Sequence, residues 1–291
     1  MPKNSMFDFR TGERARELLE DFEVIATRQH IALIPRQGVS ESLRLNVRAA
    51  IVASTLRLSS VDYARRRYVS SPESPEPDEE SPRTAYTTAY CIAKVYMSRL
   101  MEKLQTSERP DPSVGVFGAS LVLERLVPSF FCAHFLYRMG HKYEGHAVAR
   151  LILEQISWAY AAHQSDDLVF LENIETTRSV GALKRFVPEA GRLYGFLSAK
   201  THIDYSSHME FLRVEDGQNV VLHSQPHYDE YAEVILRLAD LFGLVWEVSQ
   251  AAYLEDFEAI DVHRFPKSDR GFLAVLKEHV SRISDLSTRQ Q

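Results

Sequence analysis

Along most of this chain apolar residues recur at spacings of three and four, the pattern of a helix with one buried face. Over residues 11–34 they fall at Leu18, Leu19, Phe22, Ile25 and Ala26, with Pro35 and Gly38 behind them, which predicts a first helix. Ser40 offers an N-cap for a second, whose face is Leu43, Val47, Ala50, Ile51 and Leu58 and whose end is expected near Tyr68. Helices follow over 84–107, ended by Arg109-Pro-Asp-Pro, and over 117–139, kinked or split by Pro128 and ended by Gly140. Residues 141–163 are apolar around most of their circumference (Ala147, Val148, Leu151, Ile152, Ile156, Trp158, Ala159), so this helix is expected at the centre of the core.

Shorter helices are predicted over 167–176, 177–186 and 188–201, the last opened by Pro188 at its first position. The helical period then breaks. Phe211-Leu-Arg-Val-Glu and Asn219-Val-Val-Leu-His flank an Asp216-Gly217 turn signal, which predicts a β-hairpin over 211–223. Long helices over 226–257 and 267–286 complete an all-α fold, a multi-helix bundle with one small hairpin. Residues 70–82 are four Ser, four Pro and five acids, a composition without apolar surface to offset ordering, and predict a mobile loop. The expected division is a helical arm over 1–69, an acidic Pro/Ser-rich loop over 70–83 and a helical core domain over 84–291.

Composition narrows the function classes. The 291 residues are 45% hydrophobic and 25% charged, with a net charge of −6, ordinary for a globular protein. The acidic balance argues against a protein that coats nucleic acid. Charge is uneven, however: residues 1–69 hold 12 Lys/Arg against 8 Asp/Glu. Arg65, Arg66 and Arg67 stand directly before the acidic loop, either as cations at a helix end or as a basic patch for nucleic acid that the loop covers. The longest stretches free of Asp, Glu, Lys and Arg are 12 residues, for example Leu126 to Tyr137, short of the roughly 17 to 25 a membrane-spanning helix needs. No membrane partner is therefore expected. The first residues contain no apolar signal region, so a cytoplasmic protein is expected. Cys91 and Cys132, without a C-x-x-C pair, are expected to be buried free thiols.

No phosphate-loop, dinucleotide, zinc-protease or nucleophile-elbow motif occurs, and the 12 glycines do not cluster. No cofactor is expected. The best constellation is His146, Arg150 and Glu154, at i, i+4 and i+8, one polar stripe on a very apolar helix. Ser198 and His202, again i and i+4, are expected to face it across the core. The group has two readings. As a catalytic site, Glu154 would orient His202 as general base while Arg150 stabilises an anion. As a buried network, it would fix the register of two helices, and removing Glu154 would cost about 3 to 5 kcal/mol. His202, Asp204, His208, His223 and His227 crowd the hairpin; His202, Asp204 and His208 are weak metal candidates, lacking the i, i+4 geometry of helical metal pairs, so no metal is expected. His134 and His141 are read as core or boundary residues.

Arg150-x-x-x-Glu154 on a central apolar helix, followed by Leu197-Ser198-x-x-x-His202, resembles a bacterial all-helical family of unknown function over about residues 121–257. The resemblance implies a helical fold and no particular activity. Helical bundles of this size also resemble the HEPN ribonucleases, whose active motif is Arg, four to six residues, then His. None of the 11 histidines here has an Arg at that offset, which speaks against that nuclease activity. The expected function is a non-enzymatic interaction or sensor module of a bacterial stress or defence system, with a protein partner or a second copy. The alternative is a hydrolase acting on RNA or a phosphoester through His146, Arg150, Glu154 and His202.

Overall fold

The computed structural model of the chain describes residues 22–26, 31–35, 39–69, 81–104, 111–202, 205–215, 218–222 and 227–289. It divides into two compact units, Met1–Pro77 and Asp78–Gln291, with the boundary inside the expected acidic loop, of which residues 70–80 lie outside the described residues.

In the first unit the expected first helix is replaced, over its described part, by a hairpin. Strand β1 (Phe22–Ala26) pairs antiparallel with β2 (Ile31–Pro35), Phe22 opposite Pro35 and Ala26 opposite Ile31. The two strands are rich in β-branched residues (Val24, Ile25, Ile31, Ile34), which lose side-chain freedom in a helix. The expected second helix also breaks. Helix α1 (Glu41–Thr55) is capped by the Ser40 hydroxyl, and α2 (Val61–Ala64), capped by Ser60, runs into a π-helical turn, Arg65–Val69. Between them Arg57 takes a left-handed φ of 52°, while the Leu58 N–H reaches the Ala53 carbonyl and the Arg57 N–H the Ser54 carbonyl. This is a Schellman ending with an arginine in the position that glycine favours. Within this unit, Arg65 donates to the Asn46 Oδ1 at 2.9 Å, and Arg66 and Arg67 are exposed.

The second unit is a helical bundle. Its helices are α3 (Pro82–Glu102), α4 (Val114–Arg138), α5 (Lys142–Ala162), α6 (Leu168–Glu172), α7 (Thr176–Phe186), α8 (Pro188–Thr201) and α9 (Tyr205–Met209). The hairpin β3 (Leu212–Glu215) and β4 (Gln218–Val221) follows, then α10 (Tyr228–Ser249) and α11 (Gly271–Arg289). Helices α4 and α5 form an antiparallel pair turned at Gly140, whose φ is 77°. Pro128 leaves α4 unbroken and sits on its exposed face. With 25 residues, α4 is the one described helix long and apolar enough to cross a membrane. Its stripe of Ala119, Leu123, Leu126, Phe130, Ala133 and Tyr137 is spent inside the bundle core.

The centre of that core is α10 rather than α5. From Tyr231 to Gln250 every residue of α10 and its C-cap is buried except Glu233 and Arg237, whereas Leu151 on α5 is 48% exposed. Gly243 allows α3 this close, because a Cβ there would run into the Tyr96 ring. Three polar side chains in the buried part of the helix tie it to other segments. Trp246 donates to the Leu100 carbonyl at 3.0 Å, and Arg270 grips Asp240 through two bonds of 2.7 and 2.6 Å. Glu247 accepts the backbone N–H groups of Glu258, Ala259 and Ile260, fastening the segment that leads to α11. Cys91 and Cys132 are exposed, not buried: each falls off the stripe by which α3 or α4 enters the core.

Two measurements follow from these ends and caps. Arg57→Gly should raise the stability of the first unit by about 1 kcal/mol, read as a later denaturant midpoint with an unchanged slope. Replacing residues 70–80 with a flexible linker should leave the melting curve of the second unit unchanged. Extending the deletion through Ser81 and Pro82 should cost that unit about 1 kcal/mol, since Ser81 caps α3 through the Thr84 N–H and Pro82 is its first residue.

Candidate functional site

The polar stripe on α5 is divided by the fold. His146 is wholly buried, with Nδ1 2.8 Å from the Tyr137 hydroxyl and Nε2 3.0 Å from the Glu230 Oε1. Gly145 gives Tyr137 its place, because a Cβ there would strike the ring. Burial depresses the His146 pKa and outweighs the hydrogen bond and charge of Glu230, which act the other way. A neutral ring with its proton on Nε2 satisfies both partners: the Tyr137 O–H donates to Nδ1 and Nε2–H donates to Glu230. Burial pushes the Tyr137 phenol up, so it keeps that proton. Glu230 is the opposite case. Burial acts to raise its carboxyl, but the His146 hydrogen bond and the Lys142 charge prevail, and it is held below the usual carboxylate range.

Lys142, also buried, lies 3.1 Å from the Glu210 Oε2 and 3.8 Å from the Glu230 Oε1. The Tyr143 hydroxyl sits 3.2 Å from both the Ser207 carbonyl and the Glu210 Oε2. The start of α5 thus holds the α9 segment that leads into the hairpin.

One and two turns further along α5, Arg150 and Glu154 pair with each other at 2.9 Å, as their spacing predicts. Arg150 also donates to Thr201 at 3.1 Å and Tyr194 at 3.2 Å on α8. The pair is only half-buried, with side chains 27% and 23% exposed. Ser198 does not join it: its hydroxyl oxygen is buried without a hydrogen-bond partner. His202, exposed, is the C-cap of α8, and its backbone N–H closes the last turn on the Ser198 carbonyl. No hydrogen bond joins the His202 side chain to Glu154, Arg150 or Ser198 among the described residues. The residues of the family resemblance therefore sit on α5 and the last turns of α8 without forming one constellation. His208 is exposed on α9, and Asp204 and His223 lie outside the described residues. Among the described residues no three His, Cys, Asp or Glu are placed to hold a metal. His134 is a core residue, stacked 3.8 Å from Tyr90 with Nδ1 3.2 Å from the Tyr86 hydroxyl, and burial lowers its pKa to about 3.

The other side of Glu230 opens into a groove of about 480 Å³. One face of α8 (Glu189, Arg192, Leu193, Phe196), one of α10 (Asp229, Glu230, Glu233, Val234, Arg237) and Val280 and Ser284 of α11 form its walls. Phe196 meets the His146 ring edge to face, so the groove and the buried histidine share a wall. The two arginines are committed within their own helices: Arg192 to Glu189 at 2.7 Å and Arg237 to Glu233 at 2.6 Å. Sequence reasoning missed Tyr137, Lys142 and Glu230. The signal available for Glu230 was an acid in the first turn of a long apolar helix.

No family model, curated protein or solved structure matches the chain.

Glu154→Ala should cost about 1 kcal/mol, not the larger figure of a sealed ion pair, because water reaches both groups. The buried histidines set a pH dependence. The pKa values of His134 and His146 are both lowered on folding from an ordinary 6.5, so the unfolded chain binds their protons first. Their contribution to stability is complete above pH 6.5 and falls below it by up to about 1.4 kcal/mol per pH unit for each. Urea titrations between neutrality and pH 5 should show that loss, with a shallower slope in His134→Gln.

Proposed function

We propose that this chain is a non-enzymatic interaction or sensor module, and that the groove between α8, α10 and α11 is the part of it that receives a ligand. The supporting observation is the commitment of the residues that could have been catalytic. Both nitrogens of His146 are engaged inside the core, and Arg150 is divided among Glu154, Thr201 and Tyr194. His202 stands apart from them, and among the described residues no carboxylate is bonded to it as a general base would require. A group already satisfied by the fold fixes helix positions. It offers a substrate nothing unless that network opens. The groove differs: it is concave, with four apolar side chains set among four acids, two arginines and a serine, so its charge is not balanced within it.

The test compares wild type, Glu154→Gln and His202→Ala on a panel of RNA and phosphoester substrates, with melting curves for each. The expected result is no turnover above buffer in any of the three. Turnover by wild type that His202→Ala loses without a change in melting would overturn the reading and make His202 a catalytic residue.

A further inference from the structure

Helix α10 is sealed from solvent along nearly its whole length, so the places where it is reached are informative. Among its residues from Asp229 onward, only Asp229, Glu230, Glu233 and Arg237 are not buried, and all four line the groove. Three of the four are acids. Glu233 is held by Arg237, and Glu189 on the opposite wall by Arg192. Two carboxylates retain capacity. Glu230 uses Oε1 for His146 and Lys142, and its Oε2 has no hydrogen-bond partner among the described residues; nor has the carboxylate of Asp229. Both acids stand in the first turn of α10, at the positive end of the helix dipole. Two cations act on Glu230: Lys142, which is shared with Glu210, and Lys200 of α8, whose ammonium lies 6.0 Å over the Phe196 ring.

The apolar lining runs between these charges. Leu193 and Phe196 of α8, Val234 of α10 and Val280 of α11 supply the hydrocarbon of this slot, and the carboxylates line it beside them. Such a slot discriminates by shape as well as charge. A hydrated metal ion gains nothing from the walls, and an anion meets more acids than bases. A neutral alcohol leaves Asp229 without a counter-charge.

We propose that this groove binds an organic ammonium ion carried on an aliphatic stem, with the ammonium between Asp229 and the Glu230 Oε2 and the stem along Leu193, Phe196, Val234 and Val280. The proposal rests on reading the groove as the ligand site of a non-enzymatic module. Two sources present this chemistry, a free aliphatic amine and a lysine side chain of a partner protein.

The experiment is calorimetric titration of the full chain with 1,4-diaminobutane, spermidine and Nα-acetyl-lysine amide, with 1,4-butanediol and magnesium chloride as controls. The variants are Asp229→Asn, which removes a charge from the lining of the slot, and Val280→Trp, which fills the slot without changing charge. Melting curves confirm that each folds, and Asp229→Asn carries the comparison if the filled variant does not. The expected result is saturable binding of an amine, no binding of the diol, and affinity weakened about ten-fold or more in each folded variant. Tighter binding of the lysine derivative than of the free amines supports the site and assigns it to a partner's lysine. Absence of saturable amine binding overturns the proposal, as does magnesium binding equally well or amine binding indifferent to both variants. Chemical conversion of a bound amine would overturn the non-enzymatic reading while leaving the cation site standing.

Discussion

A helix buried on every side must dispose of each polar group it carries, and α10 imposes that requirement on the rest of the second unit. An unpaired charge in its position would cost several kcal/mol, more than a typical single packing contact returns. Four of its polar residues therefore have partners from other segments of the unit. Glu230 meets His146 of α5, Asp240 meets Arg270 before α11, Trp246 meets the last turns of α3, and Glu247 gathers three backbone donors from the following segment. These contacts span separations from 11 residues, Glu247 to the Glu258 N–H, to 146 residues, Trp246 to the Leu100 carbonyl. The apolar surface gathers the helices, and the polar exceptions select one register among the ways they could be gathered.

The same constraint explains what the sequence made legible. Helix α8 was readable to the residue because Pro188 starts it, and β3 and β4 because a turn signal separates two short runs. The Arg150–Glu154 pair is local, four residues on one face, so spacing alone predicts it. The Glu230–His146 bond joins residues 84 apart, and no periodicity encodes such a distance. Tyr137, nine residues from His146, lies beyond the turn at Gly140, where helical spacing no longer holds. The choice of central helix failed for a related reason. Residues 141–163 and 228–249 are both strongly apolar, and which is surrounded depends on the number of neighbours, a property of the assembled bundle. At β1 and β2 a run of apolar residues suited both periods, and β-branched content outweighed spacing.

The carboxylate of Glu230 belongs to two environments at once. Its inner oxygen completes the buried chain from Tyr137 through His146, and its outer side faces the groove. A neutral His146 is what allows this. Were the ring protonated, Glu230 would be neutralised from within and would have little charge left for anything in the groove. Burial keeps the ring neutral at physiological pH, so the core supplies the groove with an oriented and ionised acid.

Orientation and affinity are linked through that bond. A flexible surface carboxylate loses side-chain entropy when it binds, whereas one already held by its neighbour has lost that freedom on folding. The cost is carried by the stability of the bundle, which is sensitive to acid for the same reason: protonating His146 puts a charge in the core and a proton on Nδ1, where the Tyr137 hydroxyl donates. A ligand that engages the outer oxygen therefore gains from the integrity of the core at a helix far from its own contacts. The groove and the core are one electrostatic unit, joined through a single imidazole.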